Sequence, residues 1–118
     1  MELERLRDHC LAKPGASEDF PFGPDTLVIR VVEKLFFLTT LDAFPPRFNA
    51  KCDPARAVEL RDRHDAIVPG YHMSKKHWNT VLLDGTLPDS LILELVDHSY
   101  ELVAAGLPKK TRIELGLG

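Results

Sequence analysis

The chain has 118 residues, of which 44% are hydrophobic and 28% are charged, and this composition fits one soluble domain that buries roughly two thirds of its unfolded surface. Its net charge of −3 at pH 7 argues against a surface that is basic throughout, although a local basic patch can still attract a nucleic acid. Only Cys10 and Cys52 occur, with no C-x-x-C pair and no secretory leader, so reduced thiols and a cytoplasmic location are expected. No run approaches the roughly 20 apolar residues of a membrane span.

The N-terminal part predicts a helix followed by a β-hairpin. Apolar residues recur at helical spacing at the start of the chain, and Pro14 with Gly15 ends that helix near Lys13. A loop to residue 25 is expected next. The runs 26–32 and 35–40 are rich in β-branched and aromatic residues and are separated by two residues, so we predict that they pair as a hairpin.

The middle of the chain predicts a short strand and a helix. Two prolines break the chain before a strand over 47–51. Asp53 is a suitable N-cap and Pro54 a suitable first residue for a helix that reaches about His64. The predicted buried stripe of this helix consists of Ala57 and Leu60, with His64 as a further candidate.

The C-terminal part predicts one more strand and the longest helix. The strand runs from about Trp78 to Leu83, and Thr86 with Asp89 resembles a capping box at the start of the helix. Gly106 is the expected stop. The predicted apolar stripe consists of Leu91, Ile92, Leu95, Val96, Leu102 and Val103.

Three acids of the last helix fall outside its apolar stripe: Glu94, Asp97 and Glu101. Charged residues on the exposed side of a helix are usual, so we expect a solvated acidic face. A cation site on these carboxylates is the alternative.

The acid-free segment 67–83 is the most informative part of the chain, because it concentrates positive charge and aromatic rings between a Pro-Gly turn and a strand. Ammonium groups neutralise phosphates, and aromatic faces stack on unpaired bases. A second basic cluster follows Gly106. The candidate nucleic-acid-binding residues are Lys75, Lys76, His77, Tyr71, His72, Lys109, Lys110 and Arg112.

Each of these residues also has a structural interpretation. Trp78 begins an apolar strand and is expected in the core. Tyr71 suits a structural wedge as well as it suits a stacking platform, and Lys75 with Lys76 suits an ordinary solvated loop.

Enzymatic interpretations lack support in the sequence. Cys10 lies on the apolar stripe of a helix and Cys52 precedes an N-cap, so neither has the surroundings of an activated nucleophile. His72 and His77 are five residues apart, which is not a standard zinc spacing. Phosphate-binding and nucleophile-elbow motifs are missing. We therefore expect no catalytic residue, no metal and no cofactor.

Three stretches resemble the MmcQ/YjbR family of small bacterial proteins: KPGASEDFPFG at 13–23, PGYHMSKKHWNTVLLDG at 69–85, and SYELV with LPKKTR near the end. The resemblance implies an α+β fold similar to that of the bacterial frataxin homologue, with an antiparallel sheet packed against N-terminal and C-terminal helices, and a DNA-binding role. One departure is Glu33, since family members commonly have glycine before the lysine of the hairpin. The turn type and a phosphate contact by Lys34 therefore stay open.

The sequence thus predicts a single α+β domain over residues 1–118. We expect a cytoplasmic, monomeric binding protein without enzymatic activity or membrane contact, which binds DNA through the basic loop and the C-terminal basic cluster. The alternative is a protein-interaction or small-ligand-binding module that uses a pocket between Tyr71, His72 and Trp78.

Overall fold

A six-stranded antiparallel sheet forms the centre of the structure, a computed structural model that describes all 118 residues. The strand order is β1-β2-β3-β4-β6-β5, and every neighbouring pair is antiparallel. The elements in chain order are α1 Leu3–Leu11, β1 Ala16–Asp19, β2 Thr26–Val31, β3 Lys34–Thr40, β4 Arg47–Lys51, α2 Pro54–Arg63, β5 Ile67–Pro69, β6 Trp78–Leu82, α3 Asp89–Ala104 and α4 Lys109–Glu114. The predicted α+β fold, an antiparallel sheet with flanking helices, is confirmed.

One hydrophobic core joins the sheet to the helices. The helix α3 crosses β3 and β4, α1 packs beside α3 and β1, and α2 packs on β5 and β6. Phe37 and Phe48 stack with ring centroids 5.0 Å apart, and Phe36 meets Tyr100 of α3 edge to face at 5.3 Å. The buried residues of α1, α2 and α3 share this cluster, except for Ser99, so these three helices lie on the same face of the sheet.

The opposite face of the sheet carries loops and is otherwise open. Directly paired residues of antiparallel strands point to the same side, and the pair Phe37 and Ala50 belongs to the core. The adjacent pairs therefore point away from the helices, and they connect Leu38 to Asn49 and Asn49 to Thr80. We call this side the loop face.

Most predicted bounds agree with the structure, and two strands were missed. Strand β4 and helix α2 begin at the predicted residues, and Asp53 accepts a hydrogen bond from the backbone N–H of Arg56 as an N-cap. Strand β1 lies in the segment that was predicted to be a loop. It was missed because its sequence Ala-Ser-Glu-Asp has little intrinsic strand preference, and it forms because it pairs with β2 at the edge of the sheet. Strand β5 has only three residues and ends in Pro69, so it gives almost no periodic signal.

The hairpin turn lies one residue earlier than predicted. Val31 pairs with Lys34, so the turn consists of Val32 and Glu33. The positive φ of 59° falls on Val32, and Glu33 has no left-handed backbone conformation. A left-handed conformation costs a β-branched residue roughly 1–2 kcal/mol, and the backbone N–H of Val32 donates to the carbonyl of Gly15 over 2.9 Å, which holds the turn in place.

The start of α3 differs from the prediction, whereas its end agrees with it. The helix begins at Asp89 with Pro88 at its N-cap and no side-chain cap, so the predicted capping box is wrong. Thr86 instead donates from its hydroxyl and its backbone N–H to Asp84. The helix ends at Ala104 with Ala105 as its C-cap, so Gly106 directly follows the cap, as predicted. The basic cluster that follows forms the short helix α4, which was not predicted.

The predicted apolar stripe of α3 is largely correct. Its members Ile92, Leu95, Val96 and Val103 are buried, and the other two are partly exposed. Ser99 and Tyr100 are buried as well, because their hydroxyls reach backbone carbonyls, those of Phe36 and Pro14 respectively.

The acidic side of α3 is not simply a solvated face. Glu94 forms an ion pair with Arg56 of α2. Asp97 accepts hydrogen bonds from Lys13 over 2.5 Å and from His9 over 2.7 Å. Burial by itself raises the pKa of Asp97, but these two hydrogen bonds outweigh it and hold the pKa below its usual value. Two of the three acids therefore connect α3 to neighbouring elements.

Asp97→Asn is expected to lower the free energy of unfolding near neutral pH by about 0.5–1 kcal/mol, a value discounted because the carboxylate is 40% exposed and solvent screens the pair. Because the folded-state pKa is lowered, the carboxylate contributes its full stability above an unfolded-state pKa of about 3.9 and loses it as the pH falls through the folded value. Urea unfolding of both proteins at about pH 7 and about pH 3 measures this. A difference that grows on acidification would contradict it.

Candidate functional site

The five predicted residues of the basic loop are all exposed in the segment 70–77, which joins β5 to β6. Tyr71 is 70% exposed, and its ring lies 4.0 Å from that of His72, centroid to centroid. Lys75, Lys76 and His77 form no ion pair with a carboxylate. The loop therefore presents cations and an aromatic ring to solvent together.

Gly70 fixes the start of this loop. Its N–H donates to the carbonyl of Trp78 over 2.9 Å, and a Cβ at Gly70 would lie 2.8 Å from the Cβ of Trp78. No side chain fits this approach, although the φ of Gly70 is not positive. Trp78 is only partly buried and lies outside the core cluster, so the prediction of a core tryptophan is wrong. The reason is that Trp78, the first residue of β6, pairs with Lys51 and points to the loop face, away from the helices.

Two buried side chains of the loop face hold the backbone of Tyr71. The amide of Asn49 donates to the Tyr71 carbonyl over 3.2 Å, and the Tyr71 N–H donates to the Thr80 hydroxyl over 3.0 Å. Thr80 in turn donates to the side-chain oxygen of Asn49 over 2.5 Å. The next residue, His72, has a φ of 59°. The loop is therefore held to the sheet through both the N–H and the carbonyl of Tyr71. Neither supporting residue was selected from the sequence.

The second predicted cluster lies on α4, at the same end of the sheet. A Cβ at Gly106 would lie 3.8 Å from Lys34 Nζ, and one at Gly15 would lie 3.0 Å from Leu115. The helix therefore extends from the start of β3 towards the start of β1. Lys109 and Lys110 are exposed, and Arg112 is partly exposed.

Strand direction explains why the two clusters share an end. Lys34 is the first residue of β3 and Lys51 is the last residue of β4, where it pairs with Trp78 at the start of β6. Antiparallel neighbours alternate in direction, so these termini lie together, between the loop and α4. We define the basic end as the surface formed by Lys34, Lys51, Lys75, Lys76, Lys109, Lys110 and Arg112.

Ion pairing divides the cations of the protein into two groups. Six of the 15 Lys and Arg side chains form ion pairs with carboxylates. The other nine form none, and they are the seven of the basic end together with Arg47 and Arg61. Four acids lie at or near the same end: Glu33 in the hairpin turn, Asp53 at the start of α2, Glu101 in the last turn of α3 and Glu114 at the end of α4. Six acids elsewhere pair with cations. The seven cations of the basic end outnumber the acids near them, which gives a local positive surface on a chain of net charge −3.

A pocket of about 490 Å³ opens on the loop face. Its floor includes Leu38 and Asn49, and Phe22 reaches it from the loop between β1 and β2. Tyr71 and His72 line it as predicted, but Trp78 does not. The predicted pocket among those three residues is therefore corrected to a pocket over the sheet. Arg47, which sequence reasoning did not select, is its only Lys, Arg, Asp or Glu.

The cysteines do not form a reactive site. Both are free and buried. Burial raises the pKa of the Cys10 thiol to about 12 and also raises the pKa of Cys52, so each thiol is protonated at neutral pH. No group of three or more His, Cys, Asp or Glu side chains could hold a metal ion.

The fold and the site define a small α+β domain with an open sheet face that carries a pocket and a strand end that carries unpaired cations. None of its four helices combines the length and the apolarity that a membrane crossing requires.

The comparisons with known proteins agree with this class. The family model described as YjbR matches residues 11–102. The chain is 38% identical to the Escherichia coli K12 protein YjbR over 112 residues, which cover 95% of each chain. It is 35% identical to YbdF of Escherichia coli O157:H7 over 107 residues, 91% of this chain and 88% of that one. The crystal structure of a Deinococcus radiodurans protein with a DUF419 domain is similar at a TM-score of 0.91 and 45% identity, covering 98% of this chain and 88% of that chain. The chain belongs to the YjbR family.

Proposed function

We propose that the protein binds DNA through its basic end. The observation that carries the proposal is the segregation of charge: seven cations without carboxylate partners lie at one end of the sheet, whereas six others pair with acids. The charge of an ion-paired cation is already neutralised by its carboxylate partner. The unpaired cations are therefore the ones that are available to neutralise phosphates.

The spacing of the basic end suits a phosphate backbone. Neighbouring strands lie about 4.8 Å apart, so the starts of β3 and β6 are separated by roughly 10 Å, and successive phosphates of one DNA strand advance about 3.4 Å along the helix axis. Lys34 and Lys51 can therefore contact phosphates between those reached by the loop and by α4. Lys34 was not selected from the sequence, and it is added to the candidate residues because it is exposed and forms no ion pair.

Tyr71 adds a possible stacking surface. A ring that is 70% exposed and is held by its backbone can stack on an unpaired base at little entropic cost, and such stacking contributes about 1–3 kcal/mol per base in single-stranded complexes. A preference for single-stranded over double-stranded DNA would identify this contribution.

The test is a salt titration of DNA binding by the wild-type protein with single-stranded and double-stranded oligonucleotides. We expect log K to fall linearly with log salt, with a slope of about −0.9 per contacted phosphate on duplex DNA and about −0.7 on single strands. Fluorescence anisotropy from about 50 to 300 mM salt measures the slope. Binding to neither DNA at the lowest salt, or binding that is indifferent to salt, would overturn the proposal.

In this proposal the protein is a cytoplasmic, monomeric binding protein with no enzymatic activity of its own. The second candidate is a small-ligand-binding or protein-interaction module. The pocket on the loop face favours ligand binding, because its volume of about 490 Å³ falls within the range of about 300–1,000 Å³ that is usual for small-molecule sites.

A further inference from the structure

The pocket on the loop face has a polar end built from three neighbouring strands. Thr26 pairs directly with Thr40. Continuing the β3–β4 register from the pair Leu38 and Asn49 sets Arg47 opposite Thr40. The two hydroxyls and the guanidinium therefore form a row across the sheet, on the same side as the pocket, and all three residues line it.

The groups of this row are free to bind a ligand. Arg47 Nε donates to the carbonyl of Pro45 over 3.2 Å, and no carboxylate lies within ion-pair distance of its guanidinium. The two terminal nitrogens remain as a fork, which matches the two oxygens of a carboxylate. Thr26 and Thr40 use neither hydroxyl in a hydrogen bond within the protein, whereas the neighbouring Thr39 donates to a backbone carbonyl.

The rest of the pocket is apolar and aromatic. Leu35 and Leu38 contribute to its walls and floor, and the rims carry the rings of Phe22 and Tyr71, which are 68% and 70% exposed. The two exposed aromatic side chains beside the cavity form an apolar surface that a ligand can cover. Flat aromatic surfaces pack well against a planar ring.

The charge of the lining selects the ligand. No Asp or Glu lines the pocket, and Arg47 is the only permanently charged residue. We propose that this pocket binds a small aromatic carboxylic acid. Its carboxylate pairs with the fork of Arg47 and accepts hydrogen bonds from Thr26 and Thr40, and its ring lies over Leu38 against Phe22 and Tyr71.

The site is preorganised for this ligand. The backbone of Tyr71 is already fixed by buried Asn49 and Thr80, so binding does not have to order the rim. This inference does not depend on DNA binding, since Lys75 and Lys76 do not line the pocket.

The test compares 1-naphthoate with 1-naphthamide, a neutral molecule of nearly the same shape, by isothermal titration calorimetry and backbone-amide NMR shifts in the absence of DNA. We expect saturable binding of 1-naphthoate with a Kd below about 1 mM, and at least tenfold weaker binding of the amide, because it lacks the charge. The shifts should map to the lining residues of β2, β3, β4 and the loop 70–77.

Variants test which residues cause the preference for 1-naphthoate over 1-naphthamide. Arg47→Gln should remove the preference for the carboxylate without changing the affinity for 1-naphthamide, and Thr40→Val should weaken only 1-naphthoate, several-fold. Arg63→Gln is the control, because Arg63 is exposed and pairs only with Glu59 on α2. No saturable binding, a carboxylate preference that persists in Arg47→Gln, or shifts that map elsewhere would overturn the inference. Should Arg47→Gln fail to fold, the Thr40→Val affinities and the shift map decide it.

Discussion

Replacing Lys75 and Lys76 with alanine is expected to weaken DNA binding by roughly tenfold for each lost phosphate contact at about 50 mM salt, and thus by up to about 100-fold. The salt slope should become shallower by up to about two units, because each lost contact removes close to one. The loss should be similar for every DNA sequence, since phosphate contacts carry no base information. Fluorescence anisotropy across a salt series measures both quantities.

Folding should survive this double change. Both lysines are exposed, make no ion pair and lie away from helix caps and the core, so each substitution should alter the free energy of unfolding by less than about 0.5 kcal/mol. Thermal unfolding checks this before binding is compared.

A charge-matched control tests whether a loss of DNA binding comes from the basic end or from the change in net charge. Arg5→Ala with Arg63→Ala also removes two cations. Both arginines are ion-paired, and Arg5 meets Asp89 at the start of α3, whereas the basic end lies beyond the end of that helix. We expect this control to bind DNA within about twofold of wild type, because exposed ion pairs contribute little. Equal losses in both double variants, or wild-type affinity in Lys75→Ala with Lys76→Ala, would refute DNA binding by the loop.

Gly70→Ala should cause the largest loss of stability among single substitutions in this loop, about 2–4 kcal/mol. The added Cβ would lie 2.8 Å from Trp78 Cβ and 2.9 Å from its carbonyl oxygen. Both are parts of the strand β6 that cannot rotate away. Relief requires separating β5 from β6 and weakening the hydrogen bond from Gly70 to Trp78.

The midpoint of thermal unfolding should therefore fall by about 8–16 °C, since about 1 kcal/mol corresponds to roughly 4 °C in a domain of this size. Gly106→Ala is the matched control. Its φ is not positive either, and its nearest neighbours, a carbonyl at 3.4 Å and Lys34 Nζ at 3.8 Å, leave room for a methyl group. A Gly70→Ala protein as stable as the control would show that the approach to Trp78 is not tight.

The sequence alone determined the elements that depend on local signals. The Pro-Gly stop after α1, the alternation in β4 and the cap formed by Asp53 and Pro54 each act within a few residues, and each was predicted close to its observed position. The resemblance to a known family correctly implied an antiparallel sheet with flanking helices.

Tertiary structure decided the elements that lack such signals. Strand β1 exists because β2 pairs with it, and β5 because β6 does. The capping box at Thr86 failed because Pro88 intervenes and the helix begins only at Asp89. Trp78 stayed out of the core because β6 is covered there only by Gly70 and the loop.

One of the two candidate sites could be predicted from the sequence, and the other could not. Periodicity and composition identified the exposed loop cations, because a charged, acid-free run is visible along the chain. They could not identify the row of Thr26, Thr40 and Arg47, whose members lie on three strands and become neighbours only through the register of the sheet. The sequence determined which residues carry charge. Strand pairing and ion pairing decided which cations remain free, because both depend on contacts between residues far apart in the chain.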